Sequence, residues 1–163
     1  YMHDVVGLRQ SPEEINDEVV RRMLERYRTA LPLVEGAVEV VRELAGSVPL
    51  AVASSSNRPL IDAVLDTAGI TACFTATVSS EEVARGKPAP DVFLEAARRL
   101  GVATDRCAAI EDSGNGILSA HAAGMGVVAI PNRRYLPPPE ALALADVVLG
   151  SLSELTTGVI SPE

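Results

Sequence analysis

Apolar residues recur at helical spacing between positions 15 and 31, and the pattern changes after them. Ile15, Val19, Met23, Tyr27 and Leu31 repeat every four residues, with Val20 and Leu24 beside them. Residues 12–31 are therefore predicted to form a helix with one apolar stripe on a charged background. Ser11-Pro12-Glu13-Glu14 supplies its start: Ser at the N-cap, Pro at the first helical position and Glu where a capping box needs it. Pro32 ends it. Beyond this point short apolar runs alternate with amphipathic stretches. Strands are predicted at 48–53, 73–78, 107–110, 127–130 and 147–149, and helices at 37–46, 59–68, 91–100 and 117–123. Gly69, Gly101 and Gly124 stop three of these helices. A Pro-rich turn and a short Ala/Leu helix separate the last two strands.

Continuous apolar strands alternating with helices imply the α/β class, a Rossmann-like, doubly wound parallel sheet covered on both faces. Ligands of such sheets bind at the carboxyl ends of the strands, and the polar clusters of this chain lie there. Its 163 residues suffice for one core with a modest appendage. Aromatic residues make up only 3% of them, so Val, Leu, Ile and Ala must fill the interior. The formal net charge of -8, without a dense Lys or Arg block, speaks against nucleic acid as a partner. No apolar run approaches the length of a membrane span and no signal peptide is visible, so the expectation is a cytoplasmic protein without a membrane partner. Cys73 and Cys107 fall in apolar runs and are expected as buried free thiols. His3, His121 and the Asn132-Arg133-Arg134 turn are read as terminal, surface-or-packing and polar-loop positions.

Three polar clusters remain. Ser54-Ser55-Ser56-Asn57 follows a buried strand and precedes a helix, where hydroxyls and free N–H groups can hold an anion. Taken in isolation, plain N-capping with a polar turn is the better explanation. In Gly86-Lys87-Pro88-Ala89-Pro90 a Lys stands between Gly and two prolines, a restrained point charge for a phosphate or an ordinary surface residue. Glu111-Asp112-Ser113 ends a short strand. Paired acids there suit a hard cation such as Mg²⁺, the alternative being that Ser113 or Asp112 only caps the next helix. Together the three describe a site for a phosphoryl group and its cation.

Taken in order, these segments resemble the haloacid dehalogenase-like hydrolase superfamily, in its phosphoglycolate phosphatase and β-phosphoglucomutase-like branch. Ala51-Val52-Ala53-Ser54-Ser55-Ser56-Asn57 looks like the second family motif, the stretch from Ser79 to Phe93 like the third, and Ile110-Glu111-Asp112-Ser113-Gly114-Asn115-Gly116 like the fourth. The resemblance spans about residues 32–150. It implies that Ser54 and Ser55 bind phosphate, that Lys87 acts with Ser54 in catalysis, and that Glu111 and Asp112 hold Mg²⁺. Ser56 and Asn57 become candidates for substrate contact.

The resemblance also exposes a gap. The family begins with a strand ending in Asp-x-Asp, whose first Asp is the nucleophile, and this chain has no such pair. Residues 1–31 are expected to be the C-terminal part of a helical cap, and 32–163 a core lacking its first, central strand. The nucleophilic Asp is then expected upstream in a longer protein, and the chain by itself is expected to be inactive. The implied function is Mg²⁺-dependent phosphoryl transfer, as a phosphatase or sugar-phosphate mutase acting through an aspartyl-phosphate. A small phosphorylated metabolite of the sugar-phosphate kind is the expected partner, and a monomer or weak dimer the expected state. A non-catalytic phosphate-binding or regulatory domain of the same fold is the alternative. A receiver-type signalling domain is disfavoured by order, since its acidic pair comes first in the chain.

Overall fold

The computed structural model describes residues 9–160. The first eight residues of the expected cap remnant, with His3, and the last three of the chain lie outside the described residues. Helix α1 (Pro12–Thr29) opens with the capping box: the Glu14 N–H donates to Ser11 Oγ at 3.2 Å and the Ser11 N–H to Glu14 Oε2 at 2.8 Å. No residue of α1 is buried, and Val19 is 46% exposed. The stripe predicted from its sequence is thus only partly covered, by packing against α3.

The alternation follows in the predicted order: α2 (Ala37–Ala45), β1 (Leu50–Ser54), α3 (Arg58–Ala68), β2 (Phe74–Ser79), α4 (Asp91–Leu100), β3 (Ala108–Glu111), α5 (Gly114–Ala122), β4 (Gly126–Ala129), α6 (Pro139–Leu142), β5 (Val147–Val148) and α7 (Thr157–Ile160). Only α7 has no counterpart in the sequence reading; four residues carry too little periodicity to announce a helix. The two cysteines are free, as expected, but each stands just before its strand and is only half-buried. Burial pushes the Cys107 thiol pKa up.

The strands are all parallel, in the α/β Rossmann-like manner, yet they form two half-sheets. In one, β1 pairs with β2 and ends on the register Ser54–Ser79. In the other, β3 pairs with β4 and β4 with β5, with Glu111 opposite Ala129. Alternation along β4 assigns the faces. Val127 and Ala129 pack with Val78, Val92 and Ile117 under α4 and α5, whereas Val128 packs with Leu44 and Leu155 on the other side. Between β1 and β3 lies a cleft of about 600 Å³, lined by Leu50, Ala51 and Ala53 on one side and Ala108, Ala109 and Ile110 on the other. Every residue of β1 is only half-buried and Ile110 is 39% exposed, which a strand interior to an α/β sheet would not be.

One surface network ties the β1–β2 unit to α4. Glu82 pairs with Arg58, accepts from Arg99 at 2.8 Å and takes the Ser79 N–H at 3.0 Å. Arg58 foremost, with these donors, lowers the Glu82 pKa from 4.5 to about 2. A carboxylate depressed in the folded state stabilises it fully above its unfolded pKa and loses that contribution as pH falls towards the folded value. The Glu82 contribution is therefore expected to fade between about pH 4.5 and 2. Glu82→Gln should flatten that part of the stability–pH curve relative to the unsubstituted chain, which denaturant melts across the window would read.

Candidate functional site

The carboxyl ends of β1 and β3 come together around Lys87. Its Nζ donates to Ala53 O at 3.1 Å, pairs with Glu111 and lies 4.6 Å from the centroid of the Phe93 ring. One side chain therefore spans the cleft between the half-sheets. Both partners of the ion pair are nearly enclosed, Lys87 at 10% and Glu111 at 8% side-chain exposure. The loop bearing Lys87 is held in turn: the fully buried Ser119 donates to Ala89 O at 2.6 Å, and Arg85 pairs with Asp91. Lys87 is thus largely buried and held within its Pro-rich turn.

Glu111 is seated by three groups. Besides Lys87, its Oε2 accepts from Ser113 Oγ at 3.2 Å, while Ser113 itself accepts from the Gly116 N–H at 3.1 Å and caps α5. The third is an absence of bulk. A Cβ at Gly116 would overlap the Glu111 carboxylate, so only glycine at the first turn of α5 leaves room for it. Asp112, next in sequence, is exposed. Among the described residues no three His, Cys, Asp or Glu gather into a metal cage. Two carboxylates at one strand end still fit Mg²⁺, which is commonly held by one or two carboxylates with substrate phosphate and water completing its shell.

The Ser54–Asn57 loop divides into two parts. Ser54 Oγ accepts the Ser56 N–H at 3.1 Å, which leaves the hydroxyl proton for donation to an anion. Ser55 faces a cavity of about 450 Å³ that Lys87, Ser113, Asn115, Tyr135 and Leu136 also line. The rest of the loop is engaged on the β2 side. Ser56 O accepts from the buried Ser79 Oγ at 2.7 Å, and the Asn57 amide donates to Glu81 Oε1 at 2.7 Å and Asn16 Oδ1 at 3.2 Å. Asn57 is the N-cap of α3 without capping it; Glu81 Oε2 takes the Arg58 N–H instead, at 2.8 Å. These bonds hold the Glu81 pKa below the ordinary carboxylate range.

Of the residues predicted from sequence, Lys87, Ser55 and Glu111 thus converge directly, Ser54 stands beside them, Asp112 lies at the rim, and Ser56 and Asn57 turn partly away. Phe93, Ser119, Gly116 and the lip formed by Tyr135 (72% exposed) and Leu136 (70% exposed) were not legible as site residues. A Phe at helical spacing reads as core, and only the fold places it under an ammonium. No described helix is long and apolar enough to cross a membrane.

Comparison with known proteins identifies the family and the fold. The family model for haloacid dehalogenase-like hydrolases matches residues 3–124. Hexitol phosphatase B of Escherichia coli (strain K12) is 36% identical over 149 residues, 90% of this chain and 66% of that protein. The bifunctional riboflavin kinase/FMN phosphatase of Arabidopsis thaliana is 42% identical over 123 residues, 74% of this chain and 32% of that protein. This chain therefore spans from a third to two thirds of the length of these relatives. Among solved structures, CbbY from Rhodobacter sphaeroides in complex with phosphate superposes with a TM-score of 0.81 at 27% identity, covering 91% of this chain and 67% of that one. A β-phosphoglucomutase from Clostridium difficile gives 0.72 at 25% identity, over 90% and 62%. With the family model matching well over half its length, this chain belongs to the haloacid dehalogenase-like hydrolases.

Proposed function

We propose that this chain is the phosphate- and cation-binding part of a Mg²⁺-dependent phosphatase or sugar-phosphate mutase whose nucleophilic Asp arrives on an upstream strand. The observation that carries the reading is Lys87, held at once by Ala53 O at the end of β1 and Glu111 at the end of β3. A lysine ammonium has three donors. Two are committed to these partners, and the third serves an oxygen entering between the half-sheets. In this reading the phosphoryl group sits among Ser54, Ser55 and Lys87. The upstream carboxylate attacks phosphorus, the bond to the leaving oxygen breaks, and water later hydrolyses the aspartyl-phosphate. Ser54 and the loop N–H groups hold phosphoryl oxygens, and Lys87 offsets charge on the phosphoryl group and nucleophile. Glu111 and Asp112 hold Mg²⁺, which supplies fixed positive charge near the developing negative charge.

The phosphatases among the relatives support a phosphorylated small-molecule substrate, and the hexitol and fructose-1-phosphate enzymes favour a sugar or polyol phosphate. Residues 1–31 are taken as the end of the cap, 32–163 as the core without its central strand, and the cytoplasm as the compartment. Without that strand the chain is inactive. The test is Asp112→Asn in the complete protein, expected to abolish turnover of sugar phosphates that Mg²⁺ otherwise supports. Undiminished turnover at ordinary Mg²⁺ would refute the assignment.

A further inference from the structure

We infer that Ser79 and Glu81 are positioning residues of the anion site, orienting the Asn57 N–H at the end of the Ser54–Asn57 loop towards a bound phosphoryl group. The inference rests on the phosphate site proposed above. In a planar trans peptide the C=O and the following N–H point in opposite directions. Ser80 Oγ donates to Ser55 O at 3.2 Å and Ser79 Oγ to Ser56 O at 2.7 Å, so both carbonyls are drawn to the β2 side. The N–H groups of Ser56 and Asn57 consequently face the other way, the side on which Ser56 meets the Ser54 hydroxyl. Turning these carbonyls also removes two partial negative charges from the neighbourhood of an anion.

Glu81 completes the arrangement from the next position. One carboxylate oxygen takes the Asn57 amide at 2.7 Å and the other the Arg58 N–H at 2.8 Å, which fixes the junction between loop and α3. Its own N–H donates to Ser79 Oγ at 3.2 Å, so the two residues brace each other. Ser79 is entirely enclosed, and its hydroxyl has both a donor and an acceptor role. A buried hydroxyl so placed is set by the loop it holds rather than by solvent. Neither residue lines the cavity beside Lys87, so each acts through the loop.

The experiment uses the complete protein with p-nitrophenyl phosphate as substrate and orthophosphate as competitive inhibitor. Ser79→Ala and Glu81→Gln are each expected to raise KM and the orthophosphate inhibition constant roughly tenfold, about 1.4 kcal/mol, with kcat changed much less. Ser79→Thr, which keeps the hydroxyl, should restore the inhibition constant towards the wild-type value. A merely structural role would lower the melting temperature without moving that constant, and this outcome in both variants overturns the inference. Should Ser79→Ala fail to fold, Glu81→Gln decides alone, since Glu81 is exposed and packs little. A wild-type protein that neither hydrolyses the substrate nor binds orthophosphate would instead overturn the phosphate site itself, and the inference with it.

Discussion

Replacing Lys87 with Met is expected to destabilise the fold by about 3–5 kcal/mol, the range for removing one partner of a buried ion pair. Glu111 would keep only the Ser113 hydroxyl while remaining 8% exposed, too enclosed for water to replace the ammonium. The contact with Phe93 would be lost as well, about 0.5–2 kcal/mol for a cation over an aromatic face. Most of the cost comes from the stranded carboxylate rather than from the lost attraction. The double variant Lys87→Met/Glu111→Gln should therefore recover part of it, a non-additivity that a double-mutant cycle in urea would measure. Equal midpoints for Lys87→Met and the unsubstituted chain would show that the pair is solvated, and the assignment of Lys87 as a rigid bridge would fall. The same substitution in the complete protein removes the positive charge opposite the proposed phosphoryl group, so stability and turnover should fall together.

Much of this was legible in the sequence because it rests on local chemistry. The capping box at Ser11 and Glu14 needs only adjacent residues, and it formed as read. Mostly apolar runs of three to six residues alternating with helices, three of them ended by glycine, indicated the class and the order of elements, since each period reports its own burial. The positions of Ser54 and Glu111 at strand ends, and of Lys87 on the loop after β2, followed from that order. What escaped depends on contacts between distant segments. Nothing near Gly116 announces that a carboxylate from β3 occupies the space beside it. Nothing near Phe93 says that its ring underlies an ammonium six residues earlier. The Ser54–Asn57 loop is open to plain capping of α3 in the sequence, but Glu81, from the turn after β2, takes the Arg58 N–H at the helix start. The stripe of α1 promised burial that its surroundings only partly provide, because periodicity states which face is apolar and not what covers it.

An extended strand supplied between β1 and β3 is expected to have the largest effect on the whole fold. The cleft is bounded on both sides by parallel strands running the same way, and β1 offers five residues, about 17 Å at 3.3 Å per residue. Its walls are mostly alanine, aliphatic and aromatic side chains, with Arg106 and Glu111 among them, so an apolar strand is favoured over a charged one. Each large aliphatic side chain buried there would contribute about 1.5–3 kcal/mol, and new bonds to both edges would satisfy backbone groups now facing the cleft. The sheet would become continuous, with the carboxyl end of the new strand emerging beside Lys87. A carboxylate at that end meets the remaining ammonium donor; an apolar residue there does not. The chain extended by the proposed upstream strand should therefore unfold at higher urea concentration and with a steeper slope than residues 1–163 alone, since more surface is exposed on unfolding. The amides of β1 and β3 that face the cleft should change from fast to slow hydrogen exchange, while those of β4, already paired on both sides, should change little. A synthetic apolar peptide ending in Asp-x-Asp should produce the same protection in trans, and a scrambled one should not. If the extended chain leaves the slope and the β1 and β3 exchange rates as they are, the cleft is not a strand site, and the nucleophile must reach Lys87 from some other element.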